Sequence, residues 1–110
     1  MNTKLYNTLV KQFEDSVTVS DYKKHSKNVL RMIKRLTTSY PFLDVGAKVE
    51  FKDEFGTKTV TIKEFYLVYG KFTEGDSITV ITDYDNFYYH ETKRVGNKIL
   101  YQQDESLIWD

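Results

Sequence analysis

The segment Asp83-Tyr84-Asp85-Asn86 comes nearest to a metal-ligating pattern. Alternating carboxylates open a calcium loop, but an EF-hand started at Asp83 needs glycine at its sixth position and glutamate at its twelfth. Tyr88 and Arg94 stand there instead, so the segment reads as an acidic turn. His25 and His90 are the only histidines. Two imidazoles need further ligands to hold zinc, and no spacing in the chain supplies them. A Ser–His pair needs its serine on a strained turn, and none is visible. The carboxylate pairs Asp53/Glu54 and Asp104/Glu105 fall in turns rather than in any recognisable cleft, so general acid–base catalysis has no support. Neither GxxxxGK[ST] nor GxGxxG occurs. Cysteine is absent, which removes disulfide, thiolate and Cys-metal chemistry. These residues point away from an enzyme and imply no cofactor or metal.

Binding chemistry has more material. Residues 1–40 hold eight Lys/Arg against three Asp/Glu, a balance of +5, and residues 41–110 hold eight against thirteen, a balance of −5. Such asymmetry marks an anionic partner for one half and a cationic partner for the other. The bland reading is that the halves attract each other within the fold, or that both are simply solvated. In the first half, Lys23, Lys24, Lys27, Arg31, Lys34 and Arg35 fall within about 120° of arc on a helix. A stripe of this kind neutralises phosphates, each contact adding affinity through counterion release. It contains no Asn or Gln for base readout, although Asn28 borders it. Lys93, Arg94 and Lys98 form a second basic cluster around Gly96-Asn97. In the acidic half, Asp83, Tyr84, Asp85, Tyr88 and Glu91 combine carboxylates with tyrosines. Tyrosine is favoured at protein interfaces, and acidic surroundings repel nucleic acid.

Two helices must position the basic stripe. Leu5, Tyr6, Leu9, Val10 and Phe13 recur at helical spacing over residues 3–14, with Asn2 or Thr3 as the cap. A connector over 15–19 leads to the main helix, Ser20 to Tyr40, capped by Ser20 or Asp21 and ended by Pro41. Its opposite face carries Tyr22, Val29, Met32, Ile33, Leu36 and Tyr40, and His25 lies on that apolar side.

After Pro41 the period changes to two. Val45, Ala47, Val49 and Phe51 alternate with charged residues, then a turn at 53–56 leads to Thr57–Ile62. Glu64 breaks the phase before the apolar run 65–69, which predicts a bulge or a bend. Turns at Gly70 and 73–76, the strand 77–82, the turn 83–86, a strand 87–95 with His90 inside it, a two-residue turn at Gly96-Asn97 and a return strand 98–103 follow. Leu107-Ile108-Trp109 reads as an edge strand or a docking tail.

The whole is one α+β domain over 1–110, helical over 1–40 and β over 41–110. Its two helices precede a five-stranded antiparallel sheet, which either curls into a small barrel or takes a helix on one face. LDVGAKVEF, a turn and TVTI together resemble the first two strands of SH3-like barrels. That resemblance implies a small barrel and no particular function, since such barrels serve many.

No stretch approaches the ~20 apolar residues that span a bilayer, and the N-terminus lacks a signal peptide's apolar core. A soluble protein of a bacterial cytoplasm is the expectation, and the lean towards Lys, Asn, Ile and Tyr suits a low-GC host or a phage or mobile element within one. The functional expectation is a small non-enzymatic binding protein that acts on a protein partner through the acidic, tyrosine-rich face. One concrete version is an inhibitor of a host nucleic-acid-processing machine, such as an anti-CRISPR protein directed at a CRISPR nuclease. The alternative is a DNA-binding accessory or regulatory protein that uses the helix stripe and the 93–98 hairpin. A third reading is an assembly protein that forms homodimers or larger oligomers through an edge strand.

Overall fold

A computed structural model describes residues 1–70 and 76–102. Helix α1 spans Thr3–Ser16 and helix α2 Val19–Ser39. Asn2 caps α1, its Oδ1 accepting from the Leu5 N–H at 3.1 Å. The cap of α2 is Thr18, not Ser20 or Asp21, because Thr18 Oγ1 accepts from the Asp21 N–H at 3.1 Å. Ser20 and Asp21 thus lie inside the first turn, and the connector between the helices shrinks to Val17-Thr18. Leu5, Leu9 and Phe13 of α1 and Val29, Ile33 and Leu36 of α2 are buried, as the periodicity predicts. The stripe on the other side of α2 is exposed throughout.

Six strands follow, not five: β1 Lys48–Asp53, β2 Gly56–Val68, β3 Ser77–Thr82, β4 Asn86–Tyr88, β5 Thr92–Val95 and β6 Lys98–Gln102. The extra strand arises because a 3-10 turn, Tyr89–Glu91, cuts the expected strand 87–95 in two. His90 therefore sits in that turn, exposed, and not in a strand. Val45 and Ala47 precede β1 rather than forming its start. The phase slip at Glu64 is a register shift between Ile62 and Glu64 within the continuous β2. It returns Phe65 and Leu67 to the buried face that Val60 and Ile62 occupy earlier. The expected turn over 73–75 and the tail at 107–109 lie outside the described residues.

Strand order is β4-β3-β2-β1-β6-β5. The sheet is mixed, not wholly antiparallel: β6 runs parallel to β1, pairing Phe51 with Tyr101. It is also curled. β4 and β6 are four steps apart, which in a flat sheet is roughly 19 Å at ~4.8 Å per step. Yet Phe87 of β4 and Tyr101 of β6 stack with ring centroids 4.3 Å apart. Phe51 of β1 packs on both, at 6.2 Å and 4.9 Å. The result is a half-barrel whose inner face joins the helices in one core. Removing the fully buried Phe13 side chain costs about 3–5 kcal/mol by the usual penalty for a large aromatic. Among the described residues no helix is long and apolar enough to cross a membrane.

Candidate interaction surfaces

The acidic and aromatic residues first serve the half-barrel itself. Asp83 extends the β2–β3 ladder: its N–H donates to the Thr61 carbonyl at 3.1 Å, and its Oδ1 accepts from the Thr61 N–H at 3.0 Å. Tyr84 points back to the β1–β2 hairpin, donating its hydroxyl to Asp53 Oδ2 at 3.1 Å and meeting Phe51 edge-on at 5.3 Å. Lys58 Nζ lies 3.8 Å from the centre of the Tyr84 ring and 3.7 Å from Asp53 Oδ2. Tyr84, ahead of the Asp53 carboxylate, holds the Lys58 ammonium above its ordinary value. The Tyr84 ring is still 49% exposed, so one face remains free for contact.

Asp85 and Glu91 guard a sheet edge. β4 is the terminal strand on its side, and such strands present unpaired N–H groups to passing chains. The Asn86 N–H donates to Asp85 Oδ1 at 2.8 Å, and the Tyr88 N–H donates to Glu91 Oε1 at 3.0 Å. Two of the expected partner contacts are thus also edge caps. Tyr88 is 38% exposed and lies parallel to His90 at 5.7 Å.

Between β4 and β6 the half-barrel leaves a seam. It forms a groove of about 300 Å³ lined by Thr79, Asn86, Phe87, Tyr88, Glu91 and Tyr101. Burial, then the charges of Glu91 and Asp85, push the Tyr101 phenol up to about 12. The groove is walled by the rings of Phe87, Tyr88 and Tyr101 and carries one carboxylate, Glu91. Of the five expected partner contacts, Tyr88 and Glu91 line it, whereas Asp83, Tyr84 and Asp85 do not. Tyr101 and Thr79 join them only through strand order and curl, for which the sequence carries no local sign.

The basic residues stand apart. Lys23, Lys24, Lys27, Arg31, Lys34 and Arg35 are all exposed, and none forms an ion pair with a described residue. The two ion pairs among the described residues lie inside the β region, Lys58 with Asp53 and Lys98 with Glu50 at 3.3 Å. Among the described residues, the positive and negative halves therefore do not neutralise each other by direct ion pairs. The hairpin cluster is partly committed, since Lys98 has its partner and Arg94 Nε donates to the Gly96 carbonyl at 3.0 Å. Lys93 is exposed. Arg31 and Arg35 border a second groove, of about 260 Å³, with Asn28, Met32, Asp76 and Tyr89.

The histidines sit in different settings. His25 packs beside Tyr69, ring centroids 5.6 Å apart, and against Gly70, where an added Cβ would lie 3.1 Å from its Nε2. Among the described residues no group of three or more His, Asp or Glu is placed to hold a metal ion. Comparison with family models, with curated proteins and with solved structures gives no match.

Proposed function

We propose that this is a non-enzymatic binding protein that engages a cationic protein partner at the seam between β4 and β6. The observation that carries this reading is the groove lined by the rings of Phe87, Tyr88 and Tyr101 together with the Glu91 carboxylate. Binding energy at protein interfaces concentrates where an aromatic or arginine anchor fills a desolvated pocket. An arginine of the partner fits here, its guanidinium over the Tyr88 ring and its charge against Glu91 and Asp85. Proteins that handle nucleic acid present such cationic surfaces. The reading extends to an antagonist that occupies one, of the kind a phage or mobile element directs at a CRISPR nuclease. Capture from a host lysate followed by mass spectrometry tests it. Tyr88→Ala and the pair Asp85→Lys with Glu91→Lys lose the captured protein at least tenfold, while circular dichroism confirms that they fold. Undiminished capture by folded variants defeats the reading.

A second reading rests on its own observation, the six exposed α2 cations without an ion-pair partner among the described residues. From Lys23 to Arg35 they cover about 18 Å of helix. On DNA, six phosphate contacts give a log–log salt slope near −5. A gel-shift titration across salt measures it. No shift at low salt, or an unchanged shift after Lys27, Arg31 and Lys34 are replaced by Glu, removes this reading.

A further inference from the structure

The basic stripe is not uniform. Four of its members are lysines, compact point charges on flexible stems. The other two, Arg31 and Arg35, are one turn apart and border the groove of about 260 Å³ between α2, the 3-10 turn and the start of β3. Arg35 lies close enough to Tyr89 for its charge to act on the phenol. Tyr89 itself is buried and fixed, meeting Tyr40 edge-on at 5.3 Å. Met32 adds an apolar wall, Asn28 an amide that both donates and accepts, and Asp76 a carboxylate. Asp76 is held in place, since its Oδ1 accepts from the Gly70 N–H at 3.0 Å.

These groups select a ligand. Guanidinium forks match phosphate oxygens in pairs, which lysine cannot do. The Asp76 carboxylate repels a second anion and accepts from an N–H donor. Met32 gives the same groove an apolar surface suited to a flat body. The volume falls just below the usual range for small-molecule pockets, so the groove holds one unit of a polymer or a small ligand. An anion, a flat body and N–H donors together describe a nucleotide.

We propose that this groove takes one nucleotide of a single-stranded nucleic acid, its phosphate on Arg31 and Arg35, its base against Met32 and its edge at Asn28 and Asp76. A single strand is required because base edges in a duplex are paired and stacked, whereas an unpaired base is free to leave the backbone. The lysines of the stripe then carry neighbouring phosphates. The proposal rests on the nucleic-acid reading of α2 and is independent of the seam groove.

Fluorescence anisotropy with labelled single-stranded homopolymers and a duplex, from about 50 to 200 mM salt, tests it. The Arg31→Lys, Arg35→Lys double variant keeps the charge and removes the forks. It is expected to bind single strands about tenfold more weakly, with duplex binding and the salt slope unchanged. Lys23→Glu, Lys24→Glu and Lys27→Glu together flatten the slope for both. Asp76→Asn changes the order of preference among the homopolymers. If the double arginine variant matches wild type on single strands while the slope persists, the stripe reading stands and the groove proposal falls. If wild type binds no oligonucleotide at the lowest salt, both fall.

Discussion

Asp53 fastens two turns at once. Its Oδ1 accepts from the Phe55 N–H at 2.9 Å, and its Oδ2 takes the Tyr84 hydroxyl and faces Lys58. It is buried, whereas Lys58 is partly open and can rehydrate when its partner is lost. Asp53→Ala is therefore expected to cost about 2 kcal/mol in urea denaturation, below the 3–5 kcal/mol of a fully buried pair. Tyr84→Phe removes one hydrogen bond of the same cluster, and about 1 kcal/mol is expected. The sequence shows Asp53 only as a turn residue and Tyr84 only as a candidate contact, because their meeting depends on how the sheet folds over. Tyr101 gives a pH signature. Its phenol is pushed up to about 12 in the folded chain, above the ordinary ~10 of an unfolded tyrosine. Between these values the folded state holds a proton that the unfolded state has released, so stability falls as pH rises through that window. Below pH ~10 the contribution is present in full, on the order of 2 kcal/mol. Tyr101→Phe is expected to lose less stability than wild type between pH 10 and 12 in alkaline denaturation curves.

At the scale of elements, local spacing carries much of the structure. The buried face of α2, the slip at Glu64 and the Gly96-Asn97 turn all follow from spacing within a dozen residues. The cap of α2 lies two or three positions before the expected Ser20 or Asp21 because Thr18, Ser20 and Asp21 are all competent and only geometry selects among them. Thr18→Ala is expected to cost about 1 kcal/mol, the ordinary value of a cap. Asn2→Ala is expected to cost more by thermal melt, since Asn2 Nδ2 also reaches the Leu43 carbonyl at 3.4 Å and Asp44 Oδ2 at 3.3 Å. The 3-10 turn was hidden because Phe87–Val95 has a strand's composition throughout. Glu91 reaching back to the Tyr88 N–H accompanies the break, and that contact has no periodic signature. The same contact caps the β4 edge. Glu91→Ala uncovers that donor, and self-association rising with concentration in sedimentation velocity is the expected outcome.

For the whole molecule, the α+β class was legible, and strand order was not. Alternation fixes which face of a strand is buried and says nothing about which strand lies beside it. The seam groove therefore had no sequence signal, although two of its residues did. The charge imbalance was visible in the sequence. That helix and sheet do not neutralise it through ion pairs among the described residues needed the structure. Replacing Lys27, Arg31 and Lys34 by Glu is accordingly expected to leave the melting temperature nearly unchanged, each site contributing within about 0.5 kcal/mol. The parallel pairing of β1 with β6 also sets an order in time. Among the described residues every other ladder joins strands adjacent in the chain, but Glu50 must wait for Leu100, about fifty residues later. Closing so long a loop carries an entropy cost that the hairpins do not carry, so the local pairs form first and this one forms late. Until then β1 has an open side, and a nascent chain stalled before residue 98 presents that side to any neighbour on the same message.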